Sequence, residues 1–151
     1  MFLITANMIS EHGNHADFIL RVFFGVAFIV AALDKIFTFG MAKGMFEGIF
    51  GSLGGLLLVV AIIVELAGGI SLLLGFYTRF AAALLSLLIL VAFISTFKVG
   101  QAPHFIGTLR EILVMNTAGS NTAVNLAYLA GLISLVFSGS KCCAIKPDAK
   151  D

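Results

Sequence analysis

One carboxylate, Glu65, stands near the middle of a long apolar run from Leu53 to Gly75, with Gly68 and Gly69 close behind it. At about 1.5 Å per residue that run crosses a hydrocarbon core of roughly 30 Å. An ionisable group at such a depth costs on the order of 3 kcal/mol unless it is paired, protonated or set in a polar cavity. Three uses fit such a group: a structural ion pair, a proton relay at a quinone head, or a lining for an ion path. Lys35, at the end of an earlier apolar run, is the partner for the first use. Glu65 itself and the region of His104 and Arg110 are the candidates for the second.

Other chemistry finds little to stand on. No nucleophile has a neighbouring base, and no flavin or nicotinamide fingerprint occurs, so no catalytic residue is assigned. His12, His15 and His104 are separated and none sits inside a span, which argues against haem ligation within a bundle. Cys142 and Cys143 are adjacent in a Lys-bearing tail, without the spacing of a metal site or a disulfide framework. They read as free thiols or a lipidation point. No metal and no covalently bound cofactor is expected, which leaves a quinone as the one cofactor in view.

The elements that must position these residues are membrane helices. Of 151 residues, 60% are apolar and 11% charged, and the mean hydropathy is +1.11. Soluble proteins carry charge on about a quarter of their residues. A net charge of +1 with no basic stripe excludes nucleic acid as a partner. The apolar runs predict an all-α membrane protein in one domain over 1–151. Its antiparallel bundle of four transmembrane helices covers about 17–39, 53–75, 78–98 and 120–138. A short N-terminal segment, 1–16, precedes it and lies on the membrane surface. A polar tail, 138–151, follows and is expected to fray.

Two pieces between spans are expected at the interface. Gly40 to Gly54 holds five glycines among Met and Phe, with Gly55 next, too short to span and too apolar for an exposed loop, so it reads as a re-entrant or interfacial segment tucked against the bundle. Phe105 to Met115 places its apolar residues on one face and Arg110 on another, the pattern of a helix lying in the interface.

Within the first span Arg21, Gly25, Phe28, Ala32 and Lys35 recur every three or four residues and share one stripe, which should face protein. Gly25, Gly68 and Gly69 are the expected packing glycines, since small residues let membrane helices approach closely. Arg21 and Arg79 are expected as interface anchors, with Asp17 or headgroup phosphates as partners for Arg21. Thr78 is expected to cap the third span.

The Lys35–Glu65 pair is predicted from side-chain direction. With helices near the membrane normal, Lys35 starts roughly 5 Å and Glu65 roughly 18 Å below the same surface. Side chains lean toward the N-terminus of their own helix, so on antiparallel neighbours these two lean toward each other. The alternative is a protonated, hydrogen-bonded Glu65.

With Arg21, Gly25, Phe28 and Lys35 in the first helix, Glu65, Gly68, Gly69, Leu73 and Gly75 in the second, and Thr78-Arg79 opening the third, the chain resembles the DoxX family of small four-helix membrane proteins. The resemblance implies association with membrane oxidoreductase systems, including subunits linked to sulfur-compound oxidation and quinone reduction. The expected function is therefore a non-catalytic membrane subunit or assembly partner of a larger, redox-linked complex. A quinone-reactive subunit is the alternative, and a small transporter the third reading. Expected partners are the bilayer, other subunits of the complex and a second copy of the chain. The plasma membrane is the expected location. Both termini are expected in the cytoplasm, because Arg21, Arg79, Lys141, Lys146 and Lys150 flank that side against Lys35, Lys43, Lys98 and Arg110 on the other.

Overall fold

The computed structural model describes the backbone at residues 2–96, 106, 122–140 and 144–145, and side chains at 15–95, 106, 124–140 and 144–145. Its elements are α1 (Phe2–Phe37), α2 (Phe39–Phe50), a 3-10 turn (Gly51–Leu53), α3 (Gly54–Leu74), α4 (Thr78–Thr96) and α5 (Thr122–Ser138). Every described element is helical, as hydrocarbon requires of a backbone that must satisfy its own hydrogen bonds. Three stretches, His15–Phe37, Phe39–Leu74 and Thr78–Ser95, are long and apolar enough to span, and Val124–Ser138 is a shorter apolar helix.

The helices close a ring in which α1 packs on α3, α3 on α4, α4 on α5 and α5 back on α1. α1 and α3 run antiparallel: Arg21 meets Gly75 and Gly25 meets Gly69, while Lys35 meets Glu65. Phe24, Phe28, Leu72, Leu85, Leu132 and Leu135 fill the centre. Large apolar residues such as Phe23, Leu56, Phe80 and Ile94 stay exposed on the outside, where lipid covers them.

Two segments differ from expectation. Residues 2–16 do not form a separate surface piece but continue α1, because a single glycine such as Gly13 costs a helix only about 1 kcal/mol. Gly40 to Gly54, expected as a re-entrant or interfacial piece against the bundle, takes a regular helical form. Most of it is α2, which packs along α3. Its Gly40, Gly44 and Gly48 have open space where a side chain would be, so none of them serves a close helix contact. The break from α1 falls at Thr38, with φ −106° and ψ 30°. Its hydroxyl donates to the Asp34 carbonyl at 2.8 Å, a back-bond that often bends helices. Ser86 and Ser95 make the same kind of bond, to Ala82 and Val91, at 2.7 Å each. The second expected interfacial piece, Phe105 to Met115, lies outside the described residues except Ile106.

Candidate functional site

The α1–α3 seam holds the polar interior, and glycines bring its two walls together. A Cβ on Gly25 would lie 2.9 Å from the Gly69 carbonyl oxygen, and a Cβ on Gly69 would lie 2.9 Å from that of Gly25. Leu73 and Ile29 close over the crossing from either side. Gly68, one position round the helix, faces α4 instead, where Leu85 fills the space beside it. All three glycines named from the sequence therefore sit at helix contacts.

Farther along the seam the Lys35 ammonium donates to both oxygens of Glu65, at 2.9 and 2.8 Å. A longer bond of 3.4 Å runs from the same nitrogen to the Ala31 carbonyl. The Glu65 side chain is 4% exposed and that of Lys35 23%. Removing two charges from water is costly, and a pair recovers the cost only when its hydrogen-bonding capacity is used; here each carboxylate oxygen accepts a bond. The level of the pair also differs from the simple estimate. α3 starts beside Phe46 and Glu47 of α2, so α1 meets α3 only farther along. The Lys35 ammonium thereby reaches Glu65 at the middle of α3.

The opposite end of the seam is capped. Gly75 adopts the left-handed conformation (φ 66°, ψ 37°), and its N–H donates to Leu72 O. The Phe76 N–H bonds Ser71 O at 3.0 Å, which completes a Schellman ending for α3. A Cβ on Gly75 would collide with Nη1 of Arg21 and with Ala144. Ala144 is there because the chain beyond α5 turns back through Gly139 (φ 64°), and the Ile145 N–H donates to Leu74 O at 3.0 Å. The tail is thus docked at Ala144 and Ile145 rather than frayed, because it supplies a donor to a helix-end carbonyl that otherwise has none.

Arg21 is 1% exposed, so it is no headgroup anchor. It lies within the bundle beside the C-terminus of α3, whose partial negative charge favours a cation. Asp17, one turn earlier, is also buried, and the Phe18 ring lies 5.7 Å from the guanidinium carbon. Arg79 is half-buried at the start of α4. Thr78 does not cap α4: it is already helical and fully buried, and no described residue bonds its hydroxyl. Tyr77, with φ 48°, precedes the helix instead.

Residues that sequence reasoning missed lie on the α1–α5 side. Phe24 and Phe28 pack edge-on against Tyr128, with ring centroids 5.3 and 6.0 Å apart. Gly131 makes room for the Phe24 ring. The signal for this contact was Gly131 following Tyr128 by three residues in the last apolar run, a spacing that puts both on one helix face.

The family model of DoxX matches residues 16–99, more than half of the chain. The chain belongs to the DoxX family. Neither a curated protein nor a solved structure matches it. The DoxX match covers Arg21, Lys35, Glu65 and Gly75, and hence both polar positions on the α1–α3 seam. The tail residues docked on that seam, Ala144 and Ile145, lie beyond it.

What this DoxX seam can do chemically is narrow. Among the described residues no group of three or more His, Cys, Asp or Glu gathers as metal ligands would. Glu65 faces Lys35 rather than a nucleophile or a second acid. His104 and Arg110, the other candidates for a quinone, lie outside the described residues.

Proposed function

We propose that this DoxX protein is a non-catalytic membrane subunit or assembly partner of a larger, redox-linked complex. The observation that carries the reading is the pair of hydrogen bonds that the Lys35 ammonium donates to Glu65. The one carboxylate deep in the α3 span is held by a cation of the same chain and ties α1 to α3. A group held in this way serves architecture, and redox chemistry is then left to a partner. Purification from native membranes in mild detergent tests it. A defined set of partner subunits should copurify, and the protein alone should give no quinone-dependent signal. A protein that copurifies with nothing overturns the reading.

A quinone-reactive subunit is the second reading, favoured by one observation: the Lys35 side chain keeps 23% of its surface exposed, so the pair is not sealed. Quinone-dependent reduction or a quinone-induced spectral change in the purified protein would establish it. In either case we place the protein in the plasma membrane with both termini in the cytoplasm. An impermeant thiol reagent should then leave Cys142 and Cys143 unlabelled in intact spheroplasts and label them after lysis. Labelling before lysis reverses the orientation.

A further inference from the structure

The outward face of α1 carries Ile19, Phe23, Val26, Val30 and Phe37, each 48% to 83% exposed. These positions form one stripe along the helix. Asp34 falls on that stripe, four residues after Val30 and three before Phe37, and it is exposed. Among the described residues no cation or donor reaches its carboxylate; the Thr38 hydroxyl bonds only its main-chain oxygen.

Its depth makes this notable. The neighbouring Lys35 bonds Glu65, midway along α3. Nearer its start, α3 still exposes Leu56, Val59, Val60 and Ile63. Hydrocarbon therefore extends past the level of Asp34. A carboxylate there is strongly disfavoured unless paired, and a side chain this short cannot reach the headgroups. On the same face, ending one turn before Asp34, an open groove of about 480 Å³ is lined by Val22, Phe23, Val26, Ala27, Val30 and Tyr128.

We propose that this face of α1 docks a transmembrane helix of a partner subunit whose Lys or Arg side chain pairs with Asp34 within the hydrocarbon. The groove takes the apolar side chains of that helix, and charge complementarity sets its register. The proposal rests on the reading of the chain as a subunit of a larger complex, and it names the chemistry of the partner. The face is independent of the seam: Asp34 points outward while Lys35, the next residue, points inward to Glu65.

The test uses the purified full chain in phosphatidylcholine vesicles with fluorescent Leu-Ala transmembrane peptides of about 21 residues, carrying either Lys or Leu at the centre. Energy transfer should show the Lys peptide binding wild type about three- to twentyfold tighter than the Leu peptide, the range of interhelical polar bonds in membranes. Asp34→Asn, isosteric and exposed, should melt like wild type and abolish that preference. Val30→Trp, which fills the groove, should weaken both peptides. Equal binding of the two peptides to wild type overturns the proposal, as does a preference that survives Asp34→Asn. In native membranes, a complex that copurifies equally with wild type and Asp34→Asn defeats this docking site but leaves the subunit reading intact. Loss of the complex in Asp34→Asn alone supports both.

Discussion

Gly25 and Gly69 are reciprocal neighbours: a Cβ on either would lie 2.9 Å from the carbonyl oxygen of the other. Neither backbone can shift away without opening the α1–α3 seam, on which Lys35 meets Glu65 and Arg21 meets Gly75. Gly69→Leu should lower stability by about 3 kcal/mol or more, beyond the usual 1–3 kcal/mol of overpacking, because the obstruction is main chain. Thermal unfolding in detergent measures it. Wild-type melting for this variant would mean that the crossing is looser than the structure has it.

Gly75 and Gly44 make a contrasting pair. Gly75→Ala meets both a left-handed backbone and the Arg21 guanidinium, so it should cost about 1–2 kcal/mol from conformation alone and release the docked tail. Gly44→Ala meets nothing within 4 Å and should leave stability unchanged or raise it by about 0.5–1 kcal/mol. Melting of both variants and the rate of proteolysis after α5 report the difference. Equal effects at the two positions would remove the case for the tail contact.

Arg21→Gln separates a buried cation from a headgroup anchor. Asp17, buried one turn away, would lose a nearby positive charge in a place where uncompensated charge costs about 3–5 kcal/mol. The loss should therefore appear in detergent as well as in bilayers. A variant that melts normally in detergent and weakens only in anionic lipid would return Arg21 to the membrane surface.

Much of this architecture could be read directly from the residues. The apolar runs locate the helices by hydropathy alone, although α1 begins at Phe2 rather than near residue 17 and the second apolar stretch begins at Phe39 rather than near residue 53. Glu65 stood out because a carboxylate among apolar residues is costly, and the lean of side chains on antiparallel helices made Lys35 its partner. The depth of that partner was not legible, because it depends on α2 continuing beyond α1 and covering the start of α3. The burial of Arg21 was equally hidden. It needs the tail to fold back over Gly75, a long-range contact for which no local pattern exists. Tyr128 and Gly131 were missed because their partners, Phe24 and Phe28, lie far away in sequence, and no local pattern names such a long-range contact.

The account as a whole turns on Glu65 being held by Lys35 for architecture. A double-mutant cycle of unfolding free energies in detergent, with Glu65→Gln, Lys35→Met and both together, tests that claim most directly. Each single change leaves a buried group uncompensated and should cost about 3–5 kcal/mol. The double variant should recover at least about 1 kcal/mol of the summed loss, the sign of direct coupling. Losses that simply add would show that the two side chains do not support each other, and would turn Glu65 back into a group held for a ligand or a proton.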